Sequence, residues 1–179
     1  LAVIVLLASC APPTASPAAP AEPTAEAPAP PPAAGGEPVT VGLVMKSLAN
    51  EFFKVMGEGT EAWAATRPDI ALTMVGMNSE TDIDTQIGAV ENFVTQKQDL
   101  IVLAPADSVG LVPSVKKALD AGITVVNFDV RLDQQALTEA GLQDFLFVGP
   151  DTAEGAKLAG DELGQALGAG GKVIINEGN

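Results

Sequence analysis

The feature that most constrains this chain is an alternation, from Val39 onward, of short apolar runs with longer amphipathic stretches. The apolar runs predict strands at 39–45, 70–75, 99–104, 123–128, 144–148 and 172–175. The stretches between them predict helices from Asn50 to just before Pro68 and over 82–97, 109–120 and 152–167. Strands with little polar alternation are typical of a parallel sheet buried on both faces. The sequence therefore predicts an α/β fold, a doubly wound parallel sheet with helices on both sides.

Polar and aromatic side chains follow two of the predicted strands. Lys46, Asn50, Phe52 and Phe53 come after the first strand, and Asp129 and Arg131 come after the fourth. In open parallel sheets, ligands bind outside the carboxyl ends of the strands. Carboxylates accept hydrogen bonds from hydroxyl groups, Lys and Arg donate them, and a phenyl ring can cover the C–H face of a sugar. We therefore predict a site for a polyhydroxylated ligand at this edge.

Each of these residues also has a purely structural interpretation. Phe52 and Phe53 point about 100° apart on a helix. Phe52 lies nearer the apolar stripe, so one ring is expected to face the cleft, but both rings could pack at the helix start. Asp129 could instead cap the loop after its strand, and Lys46 could be a solvated charge. Ser108 is assigned to structure, as the N-cap of the third helix.

Composition and absent motifs exclude several classes of function. The chain has no His and one Cys, so it lacks a serine triad, an internal disulfide and a Cys-rich metal site. The net charge of −14 argues against a nucleic-acid partner. No GxGxxG turn follows the first strand, and neither a GxxxxGK[ST] loop nor a GxSxG elbow occurs. We predict a binding protein that is not an enzyme and uses no cofactor or metal.

The first 38 residues predict an export signal followed by a spacer. Residues 1–7 are apolar but shorter than the ~20 residues of a membrane span, and suit a secretory signal within which the sequence begins. Residues 7–10 (LASC) resemble a bacterial lipobox, which implies that Cys10 is acylated and becomes the first mature residue. Residues 11–38 hold 10 of the 14 prolines and no Lys or Arg, which predicts a disordered spacer. The alternative is a buried strand fragment with a chance cysteine.

Beyond these patterns, the chain resembles the type I periplasmic binding proteins for sugars, in particular the ribose- and allose-binding group. The resemblance covers residues 39–179 and rests on the order and spacing of VGLVMKSLANEFFKVMGEG, DTQIGAVENFVTQKQDLIVLAPADSVGLVPSVKKALDAGITVVNFD, FVGPDTAEGAKLAGDELG and GKVIINEG. It implies two similar α/β domains joined by a hinge, with sugar held in the cleft between them. On that basis, residues 39–149 form the first domain, and residues 150–179 hold the hinge crossing, near 148–151, and the start of the second.

The resemblance also implies roles for individual residues. The family's sugar-contacting Asn-x-Phe-Phe loop corresponds to Asn50, Phe52 and Phe53. Its aspartate at the end of the fourth strand corresponds to Asp129. These positions coincide with the strand-end residues already selected, so the resemblance favours their ligand-binding interpretation.

Three positions bear on which sugar is bound. Lys46 corresponds to a lysine of the allose-binding members, where ribose-binding members carry serine. Ala104 stands where the ribose-binding pattern has asparagine. Val130 stands where that pattern has arginine, and Arg131 follows one place later. The resemblance therefore implies an allose-like or other hexose ligand more than ribose.

The expected function is extracytoplasmic binding of a monosaccharide and its delivery to the permease of an ABC importer. The expected protein is a monomer held at the membrane by a lipid on Cys10, in the periplasm or at the cell surface. One alternative is a receptor for a sugar or furanosyl signal that feeds a chemoreceptor or sensor kinase. A second is an enzyme whose catalytic residues lie in the part of the family fold beyond this sequence.

Overall fold

A computed structural model describes residues 36–142 and 146–175 of the chain. Cys10 and residues 11–35 of the predicted spacer lie outside the described residues. Within them, strands and helices alternate in the order β1 (Val39–Ser47), α1 (Glu51–Ala64), β2 (Ile70–Met77), α2 (Ile83–Gln96), β3 (Leu100–Leu103), α3 (Val112–Asp120), β4 (Thr124–Phe128), α4 (Gln134–Glu139), β5 (Phe147–Val148) and α5 (Thr152–Leu167).

These strands form one parallel sheet in the order β2-β1-β3-β4-β5. Val44 of β1 lies opposite Val75 on one side and Leu103 on the other. The chain passes outward from β1 to β2 and then crosses back to β3, so the direction of winding reverses at β1. Such a reversal opens a crevice at the carboxyl ends of the strands. The predicted parallel sheet is confirmed.

Each face of the sheet has its own hydrophobic core, because successive strand residues point to opposite faces. Val44, Ile101 and Val125 face one core, which α2, α3 and α4 complete. Leu43 and Met45 face the other, which Phe53 of α1 completes. Helices therefore pack on both faces, which confirms the predicted doubly wound α/β class.

Helix α1 is rotated about its axis relative to the prediction. Its buried residues are Phe53 and Gly57, whereas Phe52, Val55 and Trp63 are half or more exposed. Gly57 lies so close to the sheet that a Cβ there would meet the Met74 sulfur at 2.8 Å. The close approach of α1 to β2 therefore selects the face that contains the glycine rather than the face with the larger apolar side chains.

Helix α1 packs on β1 and β2. On the same face, the part of the chain that the structure describes leaves Val102 and Phe128 partly buried and Val148 exposed. An apolar groove of about 450 Å³ runs between α1 and this face of the sheet, and residues of α1 and of all five strands line it. Helix α5 buries none of its residues. Among the described residues, no helix is long and apolar enough to cross a bilayer.

A hydrogen-bonded pair joins the amino ends of β1 and β3. The Asp99 carboxylate accepts hydrogen bonds from the backbone N–H of Thr40 at 2.8 Å and from its hydroxyl at 2.7 Å. The backbone hydrogen bond, followed by that of the hydroxyl, holds the pKa of Asp99 below its ordinary value, because both favour the charged carboxylate. The Asp99–Thr40 hydrogen bonds lie at the opposite end of the strands from the predicted site.

Three local predictions differ from the structure. Helix α3 begins at Val112, and Ser108 is not its N-cap. The side chain of Asp107 accepts hydrogen bonds from the N–H groups of Val109 and Gly110, so the chain forms a turn before the helix starts. The short helix α4 was not predicted, and residues 172–175 form no strand.

Candidate functional site

Lys46 and Asp129 meet at the carboxyl edge of the sheet. Lys46 is near the end of β1, and Asp129 directly follows β4. The Lys46 Nζ lies 3.2 Å from Oδ2 of Asp129, and their side chains are only 14% and 22% exposed. The structure thus brings together two predicted site residues from distant parts of the sequence. Lys46 is not simply a solvated surface charge.

Two phenylalanines adjoin this ion pair. Phe53 is buried beside Leu43 and Met45, and the Lys46 Nζ lies 5.4 Å from the centre of its ring. Phe52 is 59% exposed and meets Phe53 edge to face, with ring centres 5.1 Å apart. The expectation that Phe52 belongs to the apolar stripe is therefore wrong. Phe53 packs in the core, and Phe52 is exposed to solvent beside the ion pair.

Asn50 has a defined structural role at the start of α1. Its side-chain oxygen accepts a hydrogen bond from the Phe52 N–H at 3.1 Å and caps the helix. Its amide nitrogen donates to Glu80, in the loop after β2, at 3.0 Å. Both halves of the amide thus have protein partners, which fix the start of α1, where Phe52 lies.

Arg131 extends the site toward α5. Its guanidinium lies 3.9 Å from the ring centre of Phe147, at the start of β5. A cleft of about 450 Å³ is lined by Asp129, Arg131, Phe147 and the turn into α5. Gly149 belongs to this lining, and a Cβ there would lie 2.5 Å from the Phe147 ring and 3.3 Å from the Asp129 carbonyl oxygen. Asp129 therefore contributes both to the ion pair with Lys46 and to the cleft beside Arg131.

Two buried amides support this edge and were not predicted from the sequence. Gln86 in α2 donates to the carbonyls of Met45 at 3.2 Å and Ala104 at 2.7 Å, and accepts from the Ala106 N–H at 2.7 Å. Asn127 in β4 bonds the loop that follows its strand. Asn127 interrupts the apolar run of β4, and that interruption is a sequence signal that could have identified it. The residues directly before Gln86 in sequence are polar, and it lies on the buried face of α2 with Ala89, Val90 and Phe93.

The arrangement suits a neutral ligand with several hydroxyl groups. Asp129 supplies a carboxylate, Lys46 and Arg131 supply donors, and Phe52 offers an exposed ring. Among the described residues, no group of three or more His, Cys, Asp or Glu side chains is arranged to hold a metal ion. The side chains brought together here offer hydrogen bonding and ring contact.

Residues 41–179 match the family model described as "Periplasmic binding protein domain". The D-ribose/D-allose-binding protein of Pseudomonas aeruginosa is 49% identical over 139 residues, which are 77% of this chain and 43% of that protein. The fold also matches an ABC transporter solute-binding protein from Burkholderia multivorans, with a TM-score of 0.70, 50% identity and coverage of 76% of this chain and 48% of that chain.

A further structure, an ABC transporter periplasmic solute-binding protein from Actinobacillus succinogenes with bound D-allose, matches with a TM-score of 0.66 and 38% identity. The match covers 74% of this chain and 45% of that one. The chain thus spans less than half the length of the proteins it resembles.

Proposed function

The chain belongs to the periplasmic binding protein domain family, and from that premise we propose that it binds a monosaccharide outside the cytoplasmic membrane and delivers it to an ABC import permease. The observation that carries the proposal is the partly buried Lys46–Asp129 pair beside Phe53 and the exposed Phe52, at the edge where such sheets bind ligands. The similar proteins are named as ABC transporter components, which favours import over a signalling output.

The ion pair suits a sugar because it is already oriented before the ligand arrives. Oδ2 of Asp129 contacts Lys46, and the carboxylate has further lone pairs on its two oxygens to accept from two sugar hydroxyls. The Lys46 ammonium has three donors and can serve an oxygen of the sugar as well as Asp129. The exposed ring of Phe52 can cover the C–H face of the pyranose or furanose. Hydrogen bonds and apolar contact then act on different parts of the sugar ring.

An allose-like hexose is the ligand we propose first. A relative at 49% identity is named for D-ribose and D-allose, and a similar solved structure holds D-allose. Lys46 is the residue that the allose-binding resemblance singles out, and it lies within the proposed site. Its ammonium is therefore the group we expect to discriminate between the two sugars.

We propose that sugar closes this domain on a second one. The chain passes from β5 through the turn at 149–151 into α5, which buries no residue against the sheet domain. A turn with few packing contacts can act as a hinge. A ligand that contacts both domains shifts the population toward the closed form, which the permease would recognise.

The proposed location is extracytoplasmic, in the periplasm or at the cell surface, with a lipid on Cys10 as the membrane anchor. The support is the LASC sequence and the Pro/Ala-rich stretch behind it, which can lift a domain from the bilayer. Cys10→Ala should move the protein from the membrane fraction to the soluble fraction. Membrane-bound protein with an unmodified Cys10 thiol in mass spectrometry would contradict the anchor.

The proposed function is tested by titrating the full-length protein with D-allose, D-ribose and a panel of other pentoses and hexoses. A sugar at about 100 times its dissociation constant should raise the free energy of unfolding by about 2.7 kcal/mol. The sugar should be recovered unchanged after long incubation, since we propose a binding protein and not an enzyme. If no sugar of the panel binds, the proposed function is wrong. A sugar product would contradict the non-enzymatic assignment.

A further inference from the structure

Asn127 is a fully buried amide in an otherwise apolar strand. It lies in β4 between Val126 and Phe128, and its exposed fraction is zero. A Val or Ile side chain would occupy a strand position of this kind without the cost of desolvating an amide. The amide therefore needs an explanation in the groups that it binds.

The Asn127 side chain bonds the loop that follows β4 at two points. Its oxygen accepts a hydrogen bond from the Leu132 N–H at 2.9 Å, and its nitrogen donates to the Val130 carbonyl at 2.7 Å. The nitrogen also lies 3.3 Å from the Phe128 oxygen and 3.4 Å from the Leu103 oxygen. One side chain thus bonds its own strand end, the neighbouring β3 and the far end of the loop.

The residue enclosed by these bonds is Asp129, and its backbone is in the left-handed region with a φ of 64°. Such a conformation is unfavourable for a residue with a side chain, so surrounding contacts must hold it in place. The Asp129 N–H also donates to the Val148 carbonyl at 3.3 Å, and Leu132 is anchored in the core with 1% exposure. Asn127 lies at the centre of these restraints.

We propose that Asn127 is a positioning residue for sugar binding, which holds the loop so that the Asp129 carboxylate faces Lys46. The inference rests on the proposed function and extends it to a side chain that is too deeply buried to touch a ligand. Arg131 lies on the same loop, but its guanidinium has a separate contact with the Phe147 ring of β5.

The test is a double-mutant cycle in the full-length protein, titrated with whichever of D-allose and D-ribose the parent binds more tightly. Asn127→Ala should weaken binding at least tenfold. In the Asp129→Ala background, Asn127→Ala should change affinity less than threefold, because the carboxylate it positions is already gone. Such coupling is expected of residues that act through one another and not of distant ones.

Val90→Ala is the matched control, since Val90 is fully buried in α2 and belongs to the same core but not to the loop. It should lower the unfolding midpoint in both backgrounds and leave the affinity of the folded protein within threefold. The inference is overturned if Asn127→Ala binds within threefold of the parent. It is also overturned if Asn127→Ala weakens sugar affinity by the same factor in the parent and in the Asp129→Ala background, because the loss would then not act through Asp129.

If Asn127→Ala does not fold, the cycle is run with Asn127→Thr, whose β-branched side chain suits a strand but cannot reach both Val130 and Leu132. The same tenfold and threefold criteria apply. A parent protein that binds no sugar would refute the proposed function itself, whereas a parent that binds with an uncoupled Asn127 refutes only this inference. The two failures are therefore distinguishable.

Discussion

Replacing Asp129 tests the proposed site most directly, and the structure allows separate expectations for two variants. Asp129→Asn keeps the size of the side chain and tolerates the left-handed backbone, which Asn adopts more readily than most residues. Asp129→Ala also loses the carboxylate, but it places a less suitable residue at a φ of 64°. That backbone conformation costs a residue such as Ala roughly 1–2 kcal/mol.

The effect on stability follows from the burial of the ion pair. Exposed pairs contribute about 0–1 kcal/mol, whereas removing one partner of a fully buried pair costs about 3–5 kcal/mol. Lys46 and Asp129 are 14% and 22% exposed, between these limits. We expect Asp129→Asn to lower the free energy of unfolding by about 1–2 kcal/mol. Asp129→Ala should lower it further, through the backbone term, and both variants should fold.

The effect on sugar affinity should be larger. If the carboxylate accepts from two sugar hydroxyls, each charge-assisted hydrogen bond contributes about 1.5–3 kcal/mol. Losing both weakens binding by roughly 3–6 kcal/mol, or about two to four decades in dissociation constant. Asp129→Asn replaces one acceptor by a donor and should lose nearly as much as Asp129→Ala.

The assay is calorimetric titration of the full-length parent and variants, with unfolding midpoints measured in parallel. Asp120→Asn is the control, because it removes the same charge from an exposed i,i+4 pair with Lys116 away from the site. It should leave affinity unchanged. Asp129 variants that fold and bind within threefold of the parent, a difference under about 1 kcal/mol, would make Asp129 a loop residue and refute the reasoning. Loss of binding through failure to fold would make its role structural.

Three further predictions concern other residues. Lys46→Ser should alter the ranking of D-allose and D-ribose in a competition assay, and an equal loss for both sugars would remove Lys46 from the specificity set. Phe53→Ala should destabilise the fold by about 3–5 kcal/mol because the ring is buried. Phe52→Ala should weaken sugar binding with little change in the unfolding midpoint. The reverse pattern would refute the assignment of Phe53 to the core and Phe52 to the site. The folded pKa of Asp99 lies below its unfolded value of about 3.9, so its contribution is complete above that pH and is lost as pH falls through the folded pKa. Asp99→Asn should therefore be less stable than the parent at neutral pH in denaturant titrations and approach it in acid, and a gap independent of pH would contradict the Thr40 hydrogen bonds as its cause.

The sequence by itself determined the α/β class and the edge at which to look. Strand and helix periods are local properties, so the apolar runs and amphipathic stretches could be assigned without knowing their partners. Continuous apolar strands imply burial on both faces, and hence a parallel sheet with its strand ends on one edge. That argument placed Lys46 and Asp129 on the same edge, and the structure joins them.

The tertiary structure decided which side of each element faces the core. Helix α1 has apolar residues on more than one side, and periodicity favoured the side of Phe52. The close approach to β2, which Gly57 permits against Met74, selected the side of Phe53. The rotation of a helix depends on the distance and shape of the sheet beneath it, and no local pattern encodes that distance.

Tertiary structure also decided how the site is supported. The amides of Gln86 and Asn127 bond carbonyl and N–H groups that belong to other strands or to the loop beyond. Lys46 finds its partner in Asp129 because β1 and β4 are separated in the sheet by β3 alone. Hydrogen bonds and ion pairs depend on three-dimensional proximity. The sequence pattern could therefore select Lys46 and Asp129 individually, but their pairing could be established only once the sheet order was known.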